Sequence, residues 1–278
     1  VGKLLTDPQR RQYFDDGLFF PVDVLSRDEA RRFRNASDEL EARLGGKPRT
    51  IEVRQMHLHF PWAYDLALSP RALDAAEDLL GPNVLVWATE LFAKHPHDGS
   101  VSIGWHRDRS YMSFQAGATV SAWIALADSV PANGCMRAVP GSGRHAGVPA
   151  AAVAGGPSAR RRSTAVEVDE DATIDVVLHA GQMSLHDIDV VHGSGPNRSD
   201  EKRIGFVVRY ITPEARPLAG RPPAVLARGR DPYGYYTLAG RPTETDADLA
   251  LRGMRQSAAQ HLESMLNNLK NLQPEAGR

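Results

Sequence analysis

The 278-residue sequence contains one cysteine, Cys135. No disulfide can form within the chain, so the fold rests on its core, and a lone thiol suits a reducing compartment. Its setting, "ANGCMRAVPGS", reads as a strand start that buries the sulfur rather than exposing a thiolate. Charge of either sign is not in excess: 33 Lys and Arg against 34 Asp and Glu leave a formal net charge of -1. Such a balance gives no field to gather nucleic acid or anionic membrane. No apolar run approaches the roughly 20 residues of a membrane-spanning helix, and the opening "VGKLLTDPQRR" lacks the apolar centre of a secretory signal. No internal repeat is found. These absences predict a cytoplasmic protein with neither a nucleic-acid nor a membrane partner.

With 42% hydrophobic residues the chain can bury a substantial core. The pattern predicts one domain over 1–278. A helical part covers 1–82: Thr6 with Gln9, and Ser26 with Glu29, have capping-box spacing, Gly17, Gly45 and Gly46 supply stops, and "FFPVDV" reads as a short strand. A further helix starts at Ser69-Pro70 and ends at Gly81-Pro82. From 83 to 212 the texture changes to short β-branched and aromatic segments separated by Gly, Pro, Asn and Asp, at 84–94, 101–108, 118–128, 135–141, 173–187, 190–194 and 203–212. This spacing describes a sandwich or jelly roll. Residues 141–172 form a long small-residue insertion, read as a lid, and 213–278 a Pro-rich connection followed by a helix from Thr243 or Thr245. Leu251, Met254, Ala258, His261, Met265, Leu269 and Leu272 line one apolar stripe of that helix, which can pack on the sheet or pair with a second copy, so monomer and homodimer both stay open.

Chemistry enters at "GWHRDRSYMSF". Residues two apart on a strand share a face, so His106 and Asp108 can meet one ion, given a third ligand. The candidates are His145, His179, His186, His192 and His261. Two histidines and a carboxylate on one face of an octahedral Fe(II) leave three positions open. His192 stands out because "HGSGPNRSDEKRIGFVVRY" follows it: a strand end, a turn, and Arg203 opening the next strand, with His186 the main rival. A buried guanidinium suits bidentate recognition of a carboxylate, such as the far end of a 2-oxo diacid. His57, Tyr111 and Met112 are candidates for touching a substrate, with core packing as the alternative for each. His95 and His97 read as loop histidines, and Arg160, Arg161 and Arg162 as lid surface.

The ordered set "WHRD", "SAWIALADSVPANGCMRAVPGSGRHAG" and "VHGSGPNRSDEKRIGFVVRY" resembles the phytanoyl-CoA dioxygenase family of Fe(II)- and 2-oxoglutarate-dependent oxygenases, over roughly residues 8 to 212. The resemblance implies a mainly β fold with α-helices, a cupin-like double-stranded β-helix buttressed by N-terminal helices. It implies Fe(II) held by His106, Asp108 and His192, and 2-oxoglutarate held by Arg203 with Ser194. Thr89 and Trp123 stand about where the family places further co-substrate contacts. O2 would be the second co-substrate, and a small molecule of bacterial secondary metabolism would be hydroxylated at an unactivated C–H bond. Asp108 stands where halogenating relatives carry a small residue. Desaturation or cyclisation from the same iron chemistry, and a cupin-like isomerase or hydrolase on another metal, are the alternatives.

Overall fold

The computed structural model describes residues 2–48, 52–99, 101–143, 166, 168–243 and 246–271. Most of the expected lid, with His145 and the arginines at 160 to 162, lies outside the described residues, as do Thr245 and Leu272. The side chain of Leu269 is likewise not described.

The N-terminal part forms α1 (Asp7–Asp16), β1 (Leu18–Asp23) and α2 (Arg27–Arg43). The Ser26 hydroxyl accepts from Glu29 N at 3.2 Å and the Glu29 carboxylate accepts from Ser26 N at 2.7 Å, so two otherwise orphaned amides of α2 are satisfied. Gly17 takes the left-handed conformation that ends α1 (φ 69°). Two helices follow, α3 (Pro61–Ala67) and α4 (Pro70–Leu80). The pattern at 69–82 predicts α4; α3 is too short to show a period and carries no hydroxyl or acidic cap.

Thirteen strands are described. The expected segments become β2 (Val84–Lys94), β3 (Ile103–His106), β5 (Thr119–Ala125), β6 (Met136–Ala138), β7 (Ile174–Val176), β8 (Gln182–His186), β9 (His192–Ser194) and β10 (Arg203–Ile211). Four short strands fall outside the expected ones: β4 (Phe114–Gln115), β11 (Arg216–Pro217), β12 (Pro223–Arg228) and β13 (Thr237–Leu238). The last three lie in the segment read as a Pro-rich connection, where prolines at strand starts and edges hide the pattern. The larger sheet runs β1-β8-β5-β10-β2-β12-β13 and the smaller β3-β9-β6-β7. Crossing between the two sheets in this order is the double-stranded β-helix, with the helices on the outer face of the larger sheet.

Both faces of β10 are buried, because helices cover one and the smaller sheet the other. Ile204, Phe206, Val208 and Tyr210 point into the helix-side core with Ala72, Ala75 and Ala76 of α4. The Tyr210 hydroxyl donates to Ala67 O at 2.7 Å, pinning the end of α3. Each large apolar side chain so enclosed stabilises the sandwich by about 1.5–3 kcal/mol. The alternate residues Arg203, Gly205, Val207 and Arg209 face inward.

The C-terminal helix α5 (Ala247–Asn271) packs beside the turn that follows β3. Leu251, Met254, Ala258 and Met265 are buried against this chain, so that part of the stripe is covered without a second copy. His59 Nε2 lies 2.8 Å from Ser257 Oγ, and Gln55 Nε2 lies 3.0 Å from His261 Nδ1. Among the described residues no helix is long and apolar enough to cross a membrane.

Candidate metal centre

His106 and His192 are direct cross-strand partners in the β3–β9 pair, which sets both imidazoles on one face with ring centres 4.3 Å apart. Each ring is oriented in the same way. His106 Nδ1 is 2.8 Å from Gly104 O and His192 Nδ1 is 3.0 Å from Val190 O, in both cases the carbonyl two residues earlier. A carbonyl only accepts, so Nδ1 carries the proton and Nε2 keeps its lone pair for a metal.

Asp108 departs from the expected strand position: β3 ends at His106, and Asp108 opens a 3-10 turn, Asp108–Tyr111. The turn still brings the carboxylate inward. Asp108 Oδ1 lies 3.6 Å from His106 Nε2 and 3.9 Å from His192 Nε2, and one ligand atom from each of the three residues lies within 4.8 Å of the others. The other oxygen, Oδ2, accepts from Arg209 Nη1, from Ser121 Oγ at 3.3 Å, and faces His186 Nε2 at 3.6 Å. One oxygen is thus turned to the imidazoles and the other is clamped by protein.

Arg209 in turn reaches Glu90 at 3.2 Å, and Glu90 pairs with Arg54 at 2.9 Å, making a buried chain of alternating charge that ends beside α5. Burial would raise the Asp108 pKa, but Arg209 and the flanking imidazoles outweigh it and hold the carboxyl well below its usual range. Glu90 is held down the same way by Arg54 and Arg209 against its own burial. Burial, reinforced by His106, pushes His192 down to about 3 and keeps it neutral. Burial also opposes protonation of His106, but Asp108 more than compensates and its pKa is raised.

Beyond these three side chains the inner faces enclose a cavity lined by Phe92, Trp123, His186, Ser194, Arg203 and Arg209 among others. Arg203 is 2% exposed and, among the described residues, its Nε and Nη1 have no partner. Its guanidinium lies over the Trp123 ring, 4.7 Å from the ring centre. Gly205 makes this possible, because a Cβ there would stand 1.8 Å from Trp123 Cζ2. Burial pushes Arg203 down to about 10. A buried cation with two idle nitrogens fits an anionic ligand that brings its own carboxylate.

The remaining sequence candidates divide. Trp123 and Ser194 line the cavity. Tyr111 sits edge-on to His106 with ring centres 5.9 Å apart. Thr89 does not reach the cavity. Its register partner is Val208 of the helix-side core, so it points outward, where its hydroxyl lies 3.0 Å from His57 Nδ1. The reason is the period of two: the inward residues of β2 are Glu90, Phe92 and Lys94. His57 is fully buried on that same outer side, and burial, with His59 and His261, pushes it down to about 3. Met112 packs with Trp87, Ile188 and Ala215, filling core. Cys135 is buried, which pushes its thiol up to about 11. His97 pairs with Asp200 at 2.7 Å on the surface.

Sequence reasoning passed over Arg209, Glu90, Arg54, Ser121 and Lys94. For three of them the signal was charge at period two within apolar strands, Glu90 and Lys94 in "WATELFAK" and Arg209, six residues after Arg203, in "RIGFVVR"; Arg54 and Ser121 carried none.

Comparison with known proteins places this geometry. The chain is 24% identical over 234 residues, 76% of its length and 80% of the relative's, to a probable alpha-ketoglutarate-dependent hypophosphite dioxygenase of Stutzerimonas stutzeri. The solved structure of the non-heme monooxygenase ThoJ superposes with a TM-score of 0.81 at 32% identity, covering 95% of this chain and 99% of that one. The non-heme alpha ketoglutarate dependent epimerase SnoN from nogalamycin biosynthesis follows with a TM-score of 0.62 at 25% identity, over 86% and 96% of the two chains. The sequence profile of the family described as Phytanoyl-CoA dioxygenase (PhyH) matches residues 15–205, a span that holds His106, Asp108, His192 and Arg203, and this chain is a member of that family of Fe(II)- and 2-oxoglutarate-dependent dioxygenases.

Proposed function

We propose that the protein hydroxylates an unactivated C–H bond of a small molecule, in bacterial secondary metabolism. The observation that carries this reading is the cavity itself: two imidazole nitrogens with free lone pairs and one carboxylate oxygen converge at one end, and a buried guanidinium with idle donors waits at the other. The family likeness to ThoJ, a non-heme monooxygenase, supports oxygen insertion, and the likeness to SnoN, from nogalamycin biosynthesis, supports the metabolic setting. A small-molecule substrate is consistent with both.

In this reading His106, Asp108 and His192 hold Fe(II). Bound iron with 2-oxoglutarate supplies, from dioxygen, the oxidising power that a side chain lacks. The chain's own residues orient and enclose. Gly104 O and Val190 O hold the two imidazoles in the metal-binding tautomer. Arg209 and Ser121 keep Asp108 Oδ2 occupied, so that Oδ1 is the oxygen offered to the metal. Arg203 receives the distal carboxylate of 2-oxoglutarate, with Trp123 fixing the plane of its fork. Phe92, Trp123 and Val207 keep water from the space between.

The test is anaerobic loading with Fe(II) and 2-oxoglutarate, then exposure to oxygen with a panel of candidate metabolites. One iron per chain and succinate release that rises with the right metabolite are expected, and Asp108→Ala should lose the release and hold iron more weakly. Iron-loaded protein that leaves 2-oxoglutarate intact across the panel, and turns a metabolite over without oxygen, would overturn the proposal.

A further inference from the structure

Behind the cavity wall stands a buried cation that the metal, its ligands, Arg203 and Arg209 do not account for. Lys94 is the direct cross-strand partner of Arg203 in the β2–β10 pair, so both side chains leave the sheet on the inner face. Both are 2% exposed. Like charges set directly opposite one another repel, and burying them makes the repulsion stronger. Among the described residues neither makes an ion pair.

The Lys94 ammonium is instead held by oxygen acceptors. It donates to Ser194 Oγ at 2.6 Å, to Gly134 O at 3.3 Å and to Gly195 O. An ammonium has three hydrogens and no lone pair, so at Ser194 the hydroxyl oxygen is the acceptor. The hydroxyl keeps one hydrogen of its own. Ser194 lines the cavity beside Arg203, and no acceptor for that hydrogen is found among the described residues. The anion end therefore offers the idle Nε–H and Nη1–H of Arg203 and the Ser194 O–H, polarised from behind by Lys94.

Resting on the 2-oxoglutarate reading above, we propose that Lys94 is a positioning residue for co-substrate choice: acting through Ser194, it makes the site select a 2-oxo acid that carries a distal carboxylate. Lys94 touches no reacting atom. Its work is to fix the direction of one hydroxyl and to add a second positive charge behind it. Burial and the neighbouring Arg203 push the Lys94 ammonium down to about 7, which a carboxylate arriving on Arg203 and the Ser194 hydroxyl would oppose.

The test uses Ni(II)-loaded full-length protein and calorimetric binding of 2-oxoglutarate and of 2-oxobutyrate, which shares the chelating end and lacks the distal carboxylate. Lys94→Met is expected to weaken 2-oxoglutarate about 10- to 100-fold, as for loss of a hydrogen bond to a charged group, and to leave 2-oxobutyrate within about twofold. Ser194→Ala is expected to give the same selective loss, and the double variant to be no worse than either single one. Equal weakening of both acids would mean that Lys94 only braces the Gly134 and Gly195 carbonyls, and would overturn the proposal. If Lys94→Met does not fold, as a melting curve reports, Ser194→Ala decides alone: an unchanged ratio of the two affinities overturns it. Wild-type protein that binds nickel but neither acid would instead sink the co-substrate reading, a separable outcome.

Discussion

Replacing Arg209 by Met tests the charge chain that carries Asp108. Arg209 is 7% exposed and donates to Asp108, to Ser121 at 2.8 Å and to Glu90 at 3.2 Å. Methionine fills much of the same volume but removes the charge. Glu90 keeps Arg54 at 2.9 Å, so the group left stranded is Asp108, buried and facing three imidazoles. A buried ion losing its partner costs about 3–5 kcal/mol. At about 2 °C per kcal/mol for a chain of this size, the metal-free variant should melt roughly 6–10 °C below the wild type. A divalent ion on Asp108 returns the missing positive charge. Calorimetric melting with and without Ni(II) should therefore show a larger metal-induced rise in Arg209→Met than in the wild type. Glu90→Gln should cost less than Arg209→Met, since Arg209 then still holds Asp108. A metal-free variant that melts with the wild type, or a metal-induced rise no larger than wild type, would refute the view that Arg209 compensates the metal-facing carboxylate.

Three further outcomes are expected. Thr89→Val loses the hydroxyl shared with His57 and should lower stability by about 1 kcal/mol in urea denaturation while leaving the 2-oxoglutarate dissociation constant unchanged, because Thr89 faces the helices. Trp123→Leu removes the flat face beneath Arg203 and should weaken 2-oxoglutarate several-fold, about 0.5–2 kcal/mol, with unaltered nickel affinity. His57 has a folded-state pKa of about 3, below the ordinary 6.5, so below pH 6.5 the unfolded chain takes up a proton that the folded chain refuses. Its contribution is complete above pH 6.5 and is lost as pH falls toward 3, at up to about 1.4 kcal/mol per pH unit. His261, pushed down to about 4 by burial and the Arg54 guanidinium, adds a slope of the same sign that ends sooner. His57→Asn should flatten the acid limb of a stability-against-pH curve by one proton, and an unchanged slope would count against the assignment.

Much of the site was legible because its parts are local or evenly spaced. His106 and Asp108 are two residues apart, and His192 and Arg203 are joined by one turn between two strands, so pattern alone could group them. The choice between His192 and His186 was harder. Both imidazoles reach Asp108, but only His192 faces His106 across a strand pair, with a carbonyl to fix its free nitrogen. His186 meets the other carboxylate oxygen, the one already held by Arg209.

The sequence by itself determined the strand and helix periods, the caps at Ser26 and Gly17, and a candidate ligand set whose order along the chain resembles that of its family. It did so because these depend on neighbours a few residues away, or on motifs whose spacing survives any folding detail. Tertiary structure alone decided which face of β2 turns inward, and with it that Thr89 points to the helix side while Glu90 and Lys94 point to the inner face. It also decided that α5 covers its apolar stripe against this same chain and that Arg209 closes on Asp108 across 101 residues. Those outcomes turn on register and on which sheet face the helices cover. A strand enclosed on both sides, with few polar positions, does not announce in its own sequence which side is which.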